Sequence, residues 1–473
     1  MIKIALVNPD YSNKHSKKPP VLPVGLGYVA QALSSKAINY EVVDLNIFSP
    51  EYLLQKIEQI CPDFVGFSLM SFRVEQNYEI INEIKKRFKK VKIIIGGPHT
   101  LAAGKEIFNE CPGVDILVLG EGDSTIIDLS EKKHLTSIGN IMYRQNDKIF
   151  RNPQNKFIEI NTLQFPKYEK FDLSKYDTGW IPLASSRGCV YKCGFCGARK
   201  FLGGVNRRRT SKKMFEEFKY WYDLGYKNFR FSDSLFTIDK KRIVEFCDFI
   251  LDGGFNANFL VEGVRADNVD MDLLHAMKKA NFNEVFLGVE SASDNVLKFY
   301  NKGVKVDQIE ATIKNTHKAG ITTNLFFILG APGETKREMI KSIKFSKKFT
   351  HVKTVYFFQL IPLVGTPLYD YLKQKGIKLA EKYPTANFGL TFNESYVING
   401  MNPKVFKKIF DKAQKTSEFI KNRYSLKMDF LDRGIRIDNL FLLNSFYFCM
   451  KFKKKIFKGF KTFYKLRVMP KYK

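Results

Sequence analysis

Three cysteines lie close together in the chain, at Cys189, Cys193 and Cys196, in a C-x3-C-x2-C pattern. Three thiolates on one short loop can hold an iron–sulfur cluster, but a [4Fe–4S] cluster has four irons. The remaining four of the seven cysteines are scattered singly elsewhere in the chain. The spacing therefore predicts a cluster with one iron that lacks a protein ligand and is open to another molecule.

Two other interpretations of the cysteines are weaker. A structural zinc site usually has four Cys or His ligands in paired C-x2-C spacing, and the sequence shows no partner pair. Chance clustering of buried thiols is the second interpretation. Gly188, Gly194 and Gly197 flank the cysteines and favour a loop that wraps around a cluster instead.

The cysteine pattern, with the aromatic Phe195 directly before the third cysteine, resembles the motif of the radical S-adenosylmethionine (SAM) superfamily. The resemblance implies that the open iron chelates the amino and carboxylate groups of SAM. An electron from the cluster would then cleave the sulfonium and give a 5′-deoxyadenosyl radical. The resemblance also implies an electron donor such as flavodoxin or ferredoxin.

The first third of the chain alternates short apolar segments with helical patterns. Strands are predicted over residues 2–7, 40–43, 64–67, 91–95 and 116–119. Nearly all-apolar strands that alternate with helices predict a parallel sheet covered on both faces. Ligands of such sheets bind beyond the carboxyl ends of the strands, where this sequence has glycines and small residues. Taken alone, those glycines indicate no more than tight turns.

In combination, the strings at these strand ends resemble the cobalamin-binding domain of B12-type radical SAM proteins over about residues 1–135. The resemblance implies that several of these residues bind cobalamin: Gly25, Ser68, Leu69, Gly96, Gly97, Gly120 and Glu121. The D-x-H-x-x-G string, which supplies a histidine ligand to cobalt in B12-dependent methionine synthases and mutases, is absent around both His15 and His99. Its absence implies cobalamin without a protein histidine below the metal or, in a minority of relatives, no cobalamin.

A second run of alternating strands and helices begins at residues 180–186, directly before the cysteines. Further strands are predicted over 228–231, 258–262, 284–289, 323–329 and 354–360. Six strands suit the partial (β/α)6 barrel of radical SAM enzymes, and active sites of parallel barrels gather at the strand carboxyl ends. By this resemblance, the residues that follow the strands contact SAM: Ser232, Asp233, Arg265, Glu290, Ser291 and Gly330.

The resemblance also implies roles for these residues. Ser232 and Asp233 would contact the methionyl amino group, and Glu290 would bond the ribose. Arg265 would pair with the SAM carboxylate, which a guanidinium matches with two parallel hydrogen bonds. Gly330 would let the backbone lie along the adenosyl group. For any single charged residue, ordinary capping or salt bridging is an equal explanation, but their order after the cysteine motif favours SAM binding.

The sequence therefore predicts an α/β protein of 473 residues with four parts. These are a Rossmann-like cobalamin-binding domain over 1–135, a connector over 136–177, a radical SAM barrel over 178–370 and a basic, mainly helical C-terminal region over 371–473. The resemblance covers roughly residues 1–370. It is closest to the group of the anaerobic magnesium-protoporphyrin cyclase and the cobalamin-dependent P- and C-methylases.

Composition and charge indicate where the protein works. The cysteines form no disulfide pattern, which suits a reducing compartment. The apolar run at the N-terminus is too short for a signal peptide, and no apolar stretch is long enough to span a bilayer. We therefore expect a cytoplasmic protein, although its net charge of +29 is large.

The charge is concentrated at the C-terminus. Residues 441–473 contain ten Lys or Arg, ten aromatic residues and no Asp or Glu. Such a segment is typical of a helix on an anionic membrane surface, so we expect peripheral membrane contact through 441–473. An acidic carrier or nucleic acid would also suit the charge, although no specific nucleic acid is expected. A basic packing helix with a disordered tail is the remaining explanation.

These observations predict a cobalamin-dependent radical SAM methyltransferase acting on an unactivated carbon of an unnamed small-molecule or lipid-like substrate. The deoxyadenosyl radical would abstract a hydrogen, methylcobalamin would supply the methyl group, and a second SAM would remethylate the cobalt. Three alternatives remain open: ring closure or oxidation with both cofactors, a vestigial cobalamin domain, and a non-catalytic cobalamin or redox sensor. Asp233, Arg265 and Glu290 beside the cysteines argue against the sensor.

Overall fold

The computed structural model describes residues 2–11, 19–154, 157–377, 379, 382–383, 389–432, 439–447 and 450. Within these residues the chain forms two successive sheets of mainly parallel strands covered by helices, a short antiparallel ribbon inserted after the first strand of the second sheet, and a long C-terminal helix. This architecture confirms the predicted α/β class.

The first sheet contains seven strands. They are β1 (Lys3–Asn8), β2 (Asn39–Asp44), β3 (Phe64–Ser68), β4 (Lys92–Gly96), β5 (Ile116–Val118), β6 (Ile141–Gln145) and β7 (Lys148–Arg151). Their order in the sheet is β2-β1-β3-β4-β5-β6-β7, and the five strands predicted from the sequence are the parallel ones. The segment expected as a connector supplies β6 and β7, which extend this sheet in antiparallel fashion.

Six helices accompany the first sheet. They are α1 (Val24–Ser34), α2 (Pro50–Ile60), α3 (Val74–Arg87), α4 (Pro98–Ala103), α5 (Ile107–Glu110) and α6 (Asp123–Ser130). Ile93, Ile94 and Ile95 are all buried, although successive side chains of a strand point to opposite faces. Both faces of the sheet are therefore covered, which leaves the strand ends as the place for a ligand.

The second sheet follows as an open barrel of parallel strands. Its strands are β8 (Ile181–Leu183), β11 (Asn228–Phe231), β12 (Asn258–Val264), β13 (Phe282–Glu290), β14 (Thr322–Leu329) and β15 (Val352–Gln359). They lie in the order β15-β14-β13-β12-β11-β8, which confirms the predicted set of six. After β8 the chain forms the antiparallel ribbon β9 (Ser186–Arg187) and β10 (Arg207–Arg208), with the cysteine loop between its strands.

The helices of this half begin inside the cysteine loop. They are α7 (Ala198–Leu202), α8 (Ser211–Asp223), α9 (Lys240–Asp252), α10 (Met271–Lys279), α11 (Asp294–Phe299), α12 (Val306–Lys318), α13 (Lys336–Ser346), α14 (Pro367–Gln374) and α15 (Pro403–Asp432). Phe218 of α8 packs against Phe229 and Phe259 of the sheet, and Phe246 of α9 packs against Phe259, with ring centroids 4.9–5.6 Å apart. This aromatic layer fixes the strands whose ends carry the site.

The long helix α15 packs against β15 and α13, beside the open edge of the barrel. Its Arg423 is fully buried and donates hydrogen bonds to the carbonyl oxygens of Lys347 and Phe349, just beyond α13. These bonds satisfy carbonyl groups that a helix end leaves unpaired. Most of the basic tail expected at the membrane, residues 448–449 and 451–473, lies outside the described residues.

We expect Gly97→Ala to lower the free energy of unfolding by about 2 kcal/mol. Gly97 has φ +90° and ψ 178°, and an added Cβ would lie 2.6 Å from the carbonyl oxygen of Leu69. Gly25→Ala is the matched control, because that position is helical with nothing within 4 Å of an added Cβ. Urea denaturation would contradict this account if both variants unfolded at the same midpoint.

Candidate functional site

The cysteine loop, residues 188–206, is held against the barrel by backbone hydrogen bonds. The amide of Gly194 donates to the carbonyl oxygen of Tyr300 at 2.8 Å, and the carbonyl oxygen of Gly194 accepts from the amide of Leu368 at 2.9 Å. The loop begins at Gly188, with φ +91°, where a Cβ would lie 2.1 Å from the carbonyl oxygen of Val205. The glycines of this motif therefore permit contacts that larger residues would block.

The three thiols are half-buried and lie close enough to interact electrostatically, since Cys189 helps to raise the pKa of both Cys193 and Cys196. Burial raises the pKa of Cys193 and of Cys196, while Lys302 and Arg265 act against that rise at Cys193. Among the residues that the structure describes, no three His, Cys, Asp or Glu side chains are grouped to ligate a single metal ion. A three-thiolate set beside two cations suits the negative charge of a thiolate-bound cluster, and loading it would release protons.

Arg265 connects the end of β12 to the cysteine loop. Its guanidinium lies 3.4 Å from the centre of the Tyr191 ring, and Nη1 is 3.7 Å from the Cys193 sulfur. The remaining nitrogens pair with Asp267 at 3.0 Å and donate to the carbonyl oxygen of Lys302 at 2.6 Å. The arginine is therefore oriented from several sides next to the predicted cluster.

Glu290 lies at the end of β13 in a left-handed conformation, with φ +61°. Its carboxylate pairs with the Lys302 ammonium at 2.7 Å, and both side chains are less than a tenth exposed. An added Cβ on Gly288 would lie 2.6 Å from the Glu290 carboxylate, so the glycine gives this ion pair its space. A strained residue in a buried pair beside the cysteine loop is typical of a functional position.

The two residues that follow β11, Ser232 and Asp233, have different surroundings in the structure. Ser232 lines a cavity described below, whereas Asp233 is not among the residues lining it. The Asp233 carboxylate accepts the hydroxyls of Ser185 and Ser186, at 2.9 and 2.5 Å, and the amide of Ser185 at 3.2 Å. Asp233 thus fastens the end of β8 to the end of β11.

Ser291 is fully buried, with its hydroxyl 3.3 Å from that of Ser342 on α13. Gly330, with φ +101°, donates its amide to the carboxylate of Glu334 at 2.6 Å. The second oxygen of Glu334 and the hydroxyl of Tyr300 are both buried without a hydrogen-bond partner. Burial raises the pKa of Glu334 to about 8, so this side chain is largely protonated at neutral pH.

A cavity of about 360 Å³ lies between the two sheets. Six of the seven predicted cobalamin residues line it, and the seventh, Leu69, is fully buried behind it. The residues from the first sheet are Gly25, Ser68, Gly96, Gly97, Gly120 and Glu121. Ser186, Ser232 and Ser234 line it from the barrel side, as do Phe201 and Leu202 of α7. Residues of the predicted cobalamin site and residues of the predicted SAM site therefore border the same cavity.

The lining of this cavity fits a bulky ligand. A Cβ added to Gly25 or Gly120 would meet nothing within 4 Å, so these backbones border open space. None of the described lining residues is a histidine, and His15 lies outside the described residues. Burial lowers the pKa of His99 to about 4, and its two ring nitrogens face the hydroxyls of Ser71 and Tyr78. His99 is thus committed to a hydrogen-bond network behind the cavity.

Family profiles match both halves of the chain. The radical SAM superfamily profile matches residues 183–346, and the B12 binding domain profile matches residues 16–130. The chain belongs to the radical SAM proteins that carry a B12-binding domain. This assignment confirms the family predicted from the motifs, and it identifies the protein as an enzyme whose cofactors are a [4Fe–4S] cluster, SAM and cobalamin.

Relatives of this radical SAM enzyme carry both methyltransferase and cyclase names. An uncharacterized methyltransferase of Pyrococcus horikoshii is 28% identical over 379 residues, which are 77% of this chain and 82% of the relative. The anaerobic magnesium-protoporphyrin IX monomethyl ester cyclase of Cereibacter sphaeroides is 24% identical over 79% of this chain and 64% of the cyclase. The chain therefore spans less than two thirds of the cyclase.

A solved structure shares the fold across both halves. The cobalamin-dependent S-adenosylmethionine radical enzyme OxsB, with aqua-cobalamin and S-adenosylmethionine bound, matches with a TM-score of 0.73 and 15% sequence identity. The match covers 100% of this chain and 82% of that chain. At this identity the likeness shows the fold alone.

Several residues at the site had no signal in the sequence. Lys302 reaches Glu290 from a turn after α11, and no motif marks it. Arg187 and Arg207 line the cavity and both pair with Glu121, which follows β5, and Arg187 also pairs with Asp123 at the start of α6. The position of Arg187, two residues before the first cysteine, was the one clue available from the sequence.

We expect Glu334 to contribute stability to the radical SAM enzyme at acidic pH, and this contribution should be lost as pH rises from about 4.5 to 8. The pKa of Glu334 is about 8 in the folded state against an ordinary value of 4.5, so the folded state holds a proton that the unfolded state loses in this interval. Glu334→Gln should flatten that dependence, whereas Glu79→Gln, at an exposed position, should keep it. Denaturant midpoints at several pH values would contradict the account if the Glu334→Gln slope equalled that of the wild type.

Proposed function

We propose that this radical SAM enzyme is a methyltransferase that methylates an unactivated carbon of a small-molecule or lipid-like substrate. The observation that carries the proposal is the shared cavity, because residues expected to hold cobalamin and residues beside the cysteine loop border the same space. When bound, the cluster and SAM supply a 5′-deoxyadenosyl radical and cobalamin supplies a methyl group. The protein's task is to place and shield these groups.

The residues around the cysteine loop are suited to binding SAM. Arg265 has a guanidinium that matches a carboxylate, although Asp267 is its partner in this structure, and SAM would compete for that arginine. The Glu290–Lys302 pair presents both charges close to Cys193, since each shifts the pKa of that thiol. Phe201 and Leu202 line the cavity with apolar surface that excludes water.

Aromatic rings on the barrel support an apolar substrate. Phe286, Phe326, Tyr356 and Phe358 are half-buried, and their ring centroids form a chain with spacings of 5.4–6.4 Å. They alternate along their strands with buried residues that face the helices, so these rings face the barrel interior. A planar or hydrocarbon group could stack on such a surface.

We expect Cys193→Ala to abolish cleavage of SAM to 5′-deoxyadenosine, because two thiolates would remain for the cluster. Cys61→Ala, an exposed cysteine far from the motif in sequence, is the matched control and should keep the wild-type rate. The proteins would be reconstituted anaerobically with iron, sulfide and a flavodoxin or ferredoxin donor, and deoxyadenosine measured by mass spectrometry. Wild-type production by a variant with all three cysteines changed to alanine would contradict the proposal.

The same reconstituted enzyme, incubated with cell extract and methyl-labelled SAM, tests the reaction class. Methylated product together with deoxyadenosine supports the methyltransferase. Deoxyadenosine with a product that has lost hydrogens but gained no methyl group would support ring closure or oxidation, the class of the cyclase relative. Unlabelled products in every extract fraction would contradict methyl transfer.

We further propose peripheral contact with the cytoplasmic face of a membrane through residues 441–473. The described part of this segment packs Leu443 against Leu426 and leaves Phe441, Leu442 and Phe446 exposed. The rest of the segment adds the basic residues, with no acidic residue to compensate them. Among the described residues, no helix is long and apolar enough to cross a membrane.

We expect the full-length protein to co-sediment with vesicles containing anionic lipid and to be released by high salt. Each Lys or Arg near an anionic surface contributes about 1 kcal/mol, and salt screens this attraction. A chain that ends at residue 438 should remain in the supernatant, as should the full-length protein with neutral phosphatidylcholine vesicles. Equal sedimentation of both chains would rule out the tail as the membrane contact.

A further inference from the structure

Two arginines, Arg187 and Arg207, lie directly before and directly after the cysteine loop. Arg187 ends β9, two positions before Cys189, and Arg207 begins β10, where it pairs with Arg187 across the ribbon. Arg187 donates to Glu121 at 2.9 Å and to both carboxylate oxygens of Asp123, at 2.8 and 3.1 Å. Arg207 donates to both oxygens of Glu121 at 2.9 Å. We call these four residues the arginine clamp.

The clamp is well shielded from water. Its four side chains are at most 15% exposed. The Arg187 guanidinium lies 4.7 Å from the Tyr28 ring centre, and that of Arg207 lies 4.3 Å from the Phe157 ring centre. Burial acts to lower the pKa of Arg187, but Asp123 and Glu121 outweigh it and raise that pKa above its usual value. The pairing is therefore charged, and water screens it little.

The clamp joins the two halves of the enzyme at the cavity. Glu121 lies in the turn between β5 and α6, directly after Gly120, which borders open space, and Asp123 is the first residue of α6. The two arginines belong to the ribbon that carries the cysteine loop, and all four residues line the cavity. The helix α7 also packs on α4, but the side chains it adds to the cavity, Phe201 and Leu202, are apolar. Apolar contact leaves orientation free, whereas paired charged hydrogen bonds fix it.

We propose that the arginine clamp sets the separation and orientation of the cysteine loop relative to the cobalamin-side strand ends. Its members are positioning residues, because they hold the loop and the β5 turn rather than the reacting atoms. Their importance for methyl transfer rests on the proposed function. The fixing of the loop does not rest on it and can be measured in protein without cofactors.

Neighbouring residues of β10 provide a matched pair of variants. In Arg207→Lys the charge is kept, but a single ammonium cannot replace both Nη1, which donates to Glu121, and Nη2, which donates to the carbonyl oxygen of Leu202 at 3.4 Å. In Arg208→Lys the same change falls on an exposed residue, whose Nε lies 3.5 Å from Asp239 at the surface. Asp123→Asn serves as a second variant, since it weakens the pairing from the opposite side.

Two measurements on the full-length protein test the clamp. In cofactor-free protein, hydrogen exchange at residues 186–208 and 120–123 should rise on the order of tenfold in Arg207→Lys and Asp123→Asn. Arg208→Lys should remain at the wild-type rate. In protein loaded with cluster and cob(II)alamin, pulsed electron paramagnetic resonance should give a broader cobalt-to-cluster distance distribution for Arg207→Lys than for Arg208→Lys.

Unchanged exchange in both Arg207→Lys and Asp123→Asn would overturn the proposal, as would an equal change in Arg208→Lys. Faster exchange throughout the chain with an unchanged distance distribution would mean that the clamp contributes only general stability, which would also overturn it. If the wild-type protein bound no cobalamin, that result would contradict the proposed function. The hydrogen-exchange measurement would still test whether the arginine clamp fixes the cysteine loop.

Discussion

The structure depends on one geometric constraint, that a parallel sheet covered by helices on both faces leaves its strand ends as the place to bind a ligand. This chain contains one such sheet and an open parallel barrel, and residues beyond the strand ends of both line a single cavity. Each sheet alone offers only part of the lining. Because the two parts face each other, a ligand of the first sheet lies next to the loop that carries the cysteines.

This arrangement places charged side chains in buried positions, where their desolvation is unfavourable. Arginine and carboxylate side chains meet between the halves, and Glu290 pairs with Lys302 beside the cysteine loop. Buried ion pairs rarely add much stability compared with apolar packing, because desolvation offsets their attraction. Their value here is geometric, since each charge has partners in a few fixed directions. The aromatic layer against the second sheet supplies stability without such constraints.

Local patterns in the sequence were enough to predict the fold class and much of the cavity lining. The strands are short apolar runs, and the cysteines and glycines lie in compact strings, so both are visible without knowledge of the fold. Side-chain orientation was not visible. Leu69 was expected at the ligand but is buried behind the cavity, and the Asp233 carboxylate faces Ser185 and Ser186. Which way a residue points after a strand depends on the neighbouring strand.

Partners that are distant in sequence were also invisible. Arg187 and Glu121 are 66 positions apart, and their contact exists because β5 and the ribbon end at the same cavity. Lys302 meets Glu290 only after the chain has formed α11 and turned back. No periodicity or spacing links such pairs. The sequence therefore shows the cofactor motifs, but it does not show the distant side chains that position the residues of those motifs.

The account depends most on the proposal that cobalamin would bind in the cavity between the two sheets without a protein histidine as a cobalt ligand. Electron paramagnetic resonance of the cob(II)alamin form tests it most directly. The account predicts a spectrum without nitrogen superhyperfine splitting from an imidazole, and loss of bound cobalamin when Gly25→Val places a side chain in the cavity from a helical position with open space beside it. A clear imidazole splitting, or cobalamin binding unaffected by that substitution, would contradict the account.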